Sequence, residues 1–230
     1  MALKRQIVEK SVQKFFFLVA MASITTLFLI MVFLFKEGLP IFKSVSIKDF
    51  VFGHYWYPTS EPPDFGIFPL IIASLTVTVA SAVISIPLGV MTAVYLAEIA
   101  SHRLREFVKP VVELLASLPS VVIGFFGMVI VAPFLQNTFD IATGLNIFNA
   151  SLMLAFMSVP TICSISEDAI YSVPVSLKEA SLALGATPFE TIVRVTLPAS
   201  ISGISTAIIL GMSRAIGETM VVLMVAGGAG

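Results

Sequence analysis

Two charged side chains, Arg214 and Glu218, stand inside an apolar run near the end of this chain. A guanidinium at mid-bilayer depth costs about 2.5–3.5 kcal/mol, so it has to face a cavity or a partner and not lipid. Its planar fork can hold a phosphate-like oxyanion through two parallel hydrogen bonds. A carboxylate one turn further along the same side would orient that fork or compete with the anion for it. The plainer alternative is a self-satisfied Arg214–Glu218 pair that pins two helices together. Both readings stay open at this level. Gly203, Ala207, Gly211 and Ala215 recur every fourth residue just before the pair, a small-residue stripe against which a helix of this chain or of a second subunit can pack closely. Arg214 lies about 60° around the helix from Gly211 and so borders the stripe.

A second constellation precedes it. Ser176-Leu177-Lys178-Glu179 has the form of a capping box, and Thr187-Pro188-Phe189-Glu190 repeats the form with proline at the first helical position. Gly185 between them is a natural terminator, so the spacing predicts two short helices over Glu179 to Pro198. Glu190 and Arg194 fall at i,i+4 and can pair. Small side chains at Ala180, Ser181, Ala183 and Ala186 permit close docking of this element against a partner. An ordinary loop on the membrane surface is the alternative.

The elements that carry these residues follow from composition. Of 230 residues 57% are hydrophobic and 12% charged, which places the chain in a bilayer. A net charge of -1 without a Lys/Arg cluster excludes a nucleic-acid partner. The single cysteine, Cys163, lies in an apolar run, and His54 and His102 stand in separate loops, so neither a disulfide framework nor a metal site is expected. Nothing resembling GxxxxGK[ST] is present, so no nucleotide site is expected in this chain, and no nucleophile-base constellation points to an intramembrane enzyme.

Long apolar stretches predict five spans, an all-α polytopic bundle. Phe15 to Phe35 follows Lys4, Arg5, Lys10 and Lys14, and at about 1.5 Å per residue it crosses a hydrocarbon core. Its length, and the lack of a small-x-small site after Phe35, read as an uncleaved anchor. Lys36 to Phe65 is an external loop whose Tyr55, Trp56 and Tyr57 suit the headgroup zone. The second span covers about Phe68 to Leu96, tilted or bent at Pro87, and a short loop with Arg103, Arg105 and Lys109 follows. The third runs from near Pro110 to Leu135, interrupted by Ser117, Pro119, Ser120, Gly124 and Gly127, with Pro119 expected to face the interior. The fourth covers about Phe148 to Ser164 and is ended by Glu167 and Asp168, and the fifth runs from Pro198 to about Val225. One side of this arrangement collects Lys4, Arg5, Lys10, Lys14, Arg103, Arg105, Lys109, Lys178 and Arg194, against Lys36, Lys43 and Lys48 on the other, which puts the N-terminus and the Glu179 loop in the cytoplasm.

The run Glu179-Ala180-Ser181, Gly185, Val195, Leu197-Pro198 resembles the EAA loop of ABC-importer membrane subunits: Glu-Ala-Ala, three residues, Gly, nine residues, Ile, one residue, Leu-Pro. Ser181 and Val195 are mild departures. In that family the loop is a coupling helix that fits a groove on a cytoplasmic ATPase, which implies coupling roles for Glu179, Ala180, Ser181, Gly185, Leu197 and Pro198. Phe65-Gly66-Ile67 with Pro69, Leu115-Ala116-Ser117-Leu118-Pro119-Ser120-Val121 and Arg214-Ala215-Ile216-Gly217-Glu218-Thr219-Met220 resemble the phosphate-importer permeases, of the PstC type more than the PstA type.

The resemblance implies a MetI-like permease fold. Residues 1–67 would form the N-terminal tail, first helix and external loop, and 68–230 the permease core with its coupling loop at about 174–198. It further implies a subunit of an ATP-driven phosphate importer in a bacterial inner membrane. The partners would be a related PstA-type permease, an ATPase dimer that holds ATP and Mg, and an external phosphate-binding protein. Phosphate would pass Arg214 and Glu218. Permeation of molybdate or sulfate, and a non-transporting scaffold, are the alternatives. The resemblance implies a further span beyond the Gly-rich end, so the sequence either is a fragment of a longer permease or lacks that last helix.

Overall fold

The computed structural model describes the backbone of residues 2–227 and the side chains of residues 9–227. The side chains of Lys4 and Arg5, two of the nine charges that orient the chain, lie outside the described residues, as does the end of the Gly-rich tail. Among the described residues five helices are long and apolar enough to cross a membrane: Glu9–Lys43, Phe68–Ile99, Ser120–Phe139, Ile147–Tyr171 and Pro188–Ile216. The chain divides into two compact units, 1–70 and 71–230.

In the first unit, α1 (Ala2–Gly38) runs into a 3-10 turn, Leu39–Lys43. The loop expected after it is partly ordered. Helix α2 (Ile47–Phe52) starts where the Ser46 hydroxyl accepts the Asp49 N–H, and a two-residue hairpin, β1 (Trp56–Tyr57) with β2 (Asp64–Phe65), pairs Trp56 with Phe65 and Tyr57 with Asp64. Gly53 and Gly66 bring their backbones so close that a Cβ on either would strike the other, and this closes the loop at its base. Tyr55 and Tyr57 stack and remain exposed.

The second unit holds α3 (Phe68–Val94), α4 (His102–Ala116), α5 (Ser120–Phe126), α6 (Ala132–Phe139), α7 (Ile147–Tyr171), α8 (Val175–Ala183), α9 (Pro188–Thr191), α10 (Leu197–Ile216) and α11 (Met220–Val225). Several expected boundaries move. The loop after the second span is the amphipathic helix α4, so the third span begins at Ser120 and not near Pro110. Pro119 is exposed, and its carbonyl accepts the Val122 N–H locally at 3.0 Å. Gly124 and Gly127 do not break the helix; a Cβ on either would meet Met224 or Met153, so both serve close approach of α11 and α7. The fourth span continues past Ser164 to Tyr171 and carries Glu167 with it. The fifth starts ahead of Pro198, because α9, a π turn (Ile192–Thr196) and α10 form one helix. Pro198 follows this π turn by two residues, as Pro133 follows the π turn Gly127–Val131. A π turn loosens the i→i−4 ladder where a proline N–H would be missed.

At the centre of the unit is α7, whose Ile162 is fully buried. A Cβ on Gly89 of α3 would come within 2.8 Å of Ile162, and one on Gly211 of α10 within 2.5 Å, so the two glycines form the slot that Ile162 fills. The stripe Gly203, Ala207, Gly211, Ala215 thus packs within the chain: Gly203 sits against Ala169, and the Ser158 hydroxyl donates to the Gly211 carbonyl at 3.3 Å. Between lipid-embedded helices burial from water supplies no attraction, so close packing of this kind supplies the stability. Gly211→Val should overpack this slot by about 1–3 kcal/mol, read as a lower thermal midpoint in detergent, while Gly38→Ala, with open space around its Cβ, should leave the midpoint unchanged.

Candidate functional site

Helix α10 ends two residues after Arg214, at Ile216, because Gly217 follows and Glu218 engages the next helix. The Glu218 carboxylate accepts the N–H groups of Met220 and Val221 at 3.0 and 3.2 Å and so caps α11. The expected geometry of one uninterrupted helix carrying both charges is therefore replaced by a helix, a turn and a second helix. Among the described residues Arg214 and Glu218 make no ion pair with each other.

Arg214 instead donates from Nη1 to the carbonyl of Ala116 at 2.9 Å, and the same nitrogen lies 3.5 Å from the Thr161 hydroxyl. The Ala116 carbonyl is available because α4 stops there: Ser117 closes it, Pro119 starts α5, and no N–H four residues on returns to it. Nη2 and Nε of Arg214 have no protein acceptor among the described residues. A half-buried guanidinium anchored through one nitrogen has the rest of its fork free, and such a fork can hold an oxyanion.

The expected coupling residues take definite places. Helix α8 starts at Val175 behind Pro174 without a side-chain cap, so the Ser176–Glu179 box does not form; the helix begins too early for Ser176 to occupy the capping position. It ends in a Schellman motif: Gly185 at φ +88 donates to Leu182 and Ala186 to Ser181, which is why glycine stands there. The Thr187–Glu190 box is complete, and since Glu190 serves it, no ion pair with Arg194 forms among the described residues. Ser181 bonds Thr191 at 2.9 Å and fastens α8 to α9. Glu179 and Ala180 are exposed, as are Leu184 (89%) and Phe189 (73%), an apolar surface on a segment that otherwise reads as cytoplasmic. Leu197 and Pro198 lie within the long α9–α10 helix.

An ionic centre escaped the sequence reading. Glu167 on α7, 1% exposed, is salt-bridged to Arg105 and, at 2.6 Å, to Lys109, both from α4; Lys109 also reaches Asp168, and Arg105 lies over the Tyr171 ring. Burial works against the Lys109 ammonium, but its hydrogen bonds to Asp168 and Glu167 outweigh it and raise its pKa, so the lysine stays cationic. Lys178 of α8 pairs with Glu98 at 2.6 Å, in the π turn Tyr95–Ile99 that ends the second span. Three cations beside an apolar run ending in Glu-Asp were the available signal. Leu104, Phe107, Val108, Val111, Val112 and Leu115 recur at helical spacing, but a period count could not show that this helix turns two of the cations onto Glu167.

A family model described as "Binding-protein-dependent transport system inner membrane component" matches residues 85–230. A Bacillus subtilis protein described as "Probable ABC transporter permease protein YqgH" is 42% identical over 86% of this chain and 65% of its own length. "Phosphate transport system permease protein PstC" of Mesorhizobium japonicum is 34% identical over 78% of this chain and 60% of its own, and PstC 1 of Mycobacterium tuberculosis 36% over 71% and 54%. The chain thus spans less than two thirds of the length of these relatives. A solved structure of the MetNI methionine ABC transporter, inward facing, superposes with a TM-score of 0.53 at 26% identity, covering 69% of this chain and 74% of its own.

Removing Glu167 would leave Arg105 and Lys109 without their buried acceptor. Glu167→Ala should cost about 3–5 kcal/mol, and Asp168→Ala, at a site 64% exposed, less than about 1 kcal/mol. Chemical unfolding of the detergent-solubilised protein measures both.

Proposed function

The chain belongs to the family of binding-protein-dependent transport system inner membrane components, and on that premise we propose that it is a transmembrane permease subunit of an ATP-driven importer of inorganic phosphate. The observation that carries the substrate is the guanidinium of Arg214, anchored through Nη1 and open at Nη2 and Nε, at the junction of α4, α7 and α10. A divalent or monovalent tetrahedral oxyanion matches such a fork. Phosphate is favoured among oxyanions by relatives named as phosphate transport permeases.

In this reading the subunit forms half of a pathway completed by a related, PstA-type permease. An external phosphate-binding protein delivers the anion. A cytoplasmic ATPase dimer, which binds ATP and Mg, docks on α8 and α9, where the exposed Leu184 and Phe189 offer an apolar face and the Schellman turn and capping box keep the element stiff. The ATPase chemistry lies in those partners. The uneven distribution of Lys and Arg supports a cytoplasmic N-terminus and a cytoplasmic α8–α9 segment. Glu218 serves the pathway by holding α11, and through it the turn after Arg214, and not as a partner of the guanidinium.

In cells lacking their own importer, Arg214→Ala should lower labelled-phosphate uptake by more than about tenfold, the size expected from losing a charge-assisted contact, with the complex still assembled. Arg214→Lys should be impaired as well, because a point charge lacks the fork. Full uptake by the Ala variant, or equal competition by molybdate or sulfate, would refute the phosphate reading.

The coupling role has its own test in the Lys178–Glu98 pair, 21% and 11% exposed. Lys178→Glu should abolish stimulation of the ATPase in the reconstituted complex, and the exchange Lys178→Glu with Glu98→Lys should restore it. Stimulation untouched by the single change would rule out this tie.

A further inference from the structure

Several hydroxyls on the membrane helices of this chain are occupied within their own helix, while the buried Ser85, Ser166 and Thr196 hydroxyls have no partner among the described residues. Thr76 donates to Ile72 at 2.8 Å, Thr92 to Leu88 at 2.7 Å, Thr206 to Ser202 at 2.9 Å and Ser151 to Ile147 at 2.8 Å. Such back-bonding is the ordinary way for a helix to satisfy a hydroxyl that has no water. Thr161 is not back-bonded, and it differs from Ser85, Ser166 and Thr196 in that its oxygen meets a cation. Its oxygen is the acceptor for Arg214 Nη1 at 3.5 Å, and its own O–H has no acceptor among the described residues.

The position is not free to turn away. Thr161 directly precedes Ile162, which the Gly89–Gly211 slot holds. Ser158, one turn back on the same face of α7, is fixed to the Gly211 carbonyl. The rotation of α7 is therefore set on both sides of Thr161, and its hydroxyl is aimed at the end of α10 where Arg214 stands.

Two side chains thus meet with unused donors: Nη2 and Nε of Arg214, and the Thr161 O–H. The nearest carboxylate in sequence, Glu218, is turned to the α11 backbone and does not fill the gap. A guanidinium fork engages two oxygens of an oxyanion, and a hydroxyl beside it is placed for a third, an arrangement complementary to a tetrahedral anion. We infer that Thr161 is a substrate-contacting residue of the permeation path, its hydroxyl donating to an oxygen of the tetrahedral oxyanion engaged by Arg214. This rests on the reading of Arg214 as the anion site and adds a second side chain, from a different helix, to it.

The test uses the reconstituted complex with its loaded binding protein and measures inorganic phosphate moved per ATP hydrolysed. Thr161→Val keeps the shape and removes the O–H. Phosphate moved per ATP should fall about tenfold or more, as for a lost hydrogen bond to a charged group, while stimulated ATPase activity stays within about twofold. Thr161→Ser, which keeps the hydroxyl, should stay within about threefold of the parent. A Val variant with normal phosphate per ATP, a Ser variant as poor as Val, or parallel loss of ATPase and transport in the Val variant would each overturn the assignment. Should the Val variant not assemble, Thr161→Cys with Cys163→Ala decides the matter: phosphate, and not chloride, should slow alkylation of the new thiol in the assembled complex, and equal rates would overturn the assignment. Normal uptake by Arg214→Ala sinks the anion reading itself. Lost uptake in Arg214→Ala with a normal Thr161→Val sinks the Thr161 assignment alone.

Discussion

Ile162, lodged between Gly89 and Gly211, is the contact on which the membrane core depends. Lipid tails are as apolar as isoleucine, so three helices hold together here only through packing that no lipid chain could match. Glycine on two helices and a branched side chain on the third let the backbones approach. That approach also brings the Ser158 hydroxyl to the Gly211 carbonyl and sets Arg214, one turn beyond, against α7 and the end of α4. Loosening the slot would displace every polar contact further along α10.

Broken backbone is the second theme, and two of the breaks are met by a polar side chain. Where α4 stops, the Ala116 carbonyl is met by Arg214. Where the π turn opens at Gly127, its carbonyl accepts from the fully buried Asn149, which also bonds Gly144. The Gly127 carbonyl also accepts the Ala132 N–H, whereas no backbone N–H returns to Ala116; a carbonyl left open in a water-poor region costs several kcal/mol, so the Ala116 pairing is a structural requirement before it is anything else. At Ala116 the requirement and the proposed function coincide, because a single nitrogen of Arg214 meets it and the remaining donors stay available.

Around α4 and α8, ion pairs take over from packing. Glu167 draws Arg105 and Lys109 onto α7, and Lys178 ties α8 to the turn after α3. The amphipathic α4 therefore touches both ends of the proposed mechanism, its first half clasped near the coupling segment and its last carbonyl under Arg214. The α9–α10 helix is a second continuous connection, from the Thr187 cap to Arg214. In the proposed coupling, a stroke received at α8 and α9 has two routes to the guanidinium.

By itself the sequence determined the five spans, the EAA-type loop with its Gly185 turn and Thr187 cap, the small-residue stripe and the oddity of Arg214. These are properties of composition, period and short-range spacing, which survive in any arrangement of the helices. What it did not determine was who meets whom. A four-residue spacing suggested that Arg214 and Glu218 face one another, but Gly217 ends the helix between them and Glu218 turns to cap α11. Arg103, Arg105 and Lys109 read as loop charges, because nothing in their spacing shows Glu167 waiting 58 residues beyond Lys109. Only the tertiary structure decided these pairings, since each joins residues far apart in the chain through the geometry of helices that must first be packed around Ile162.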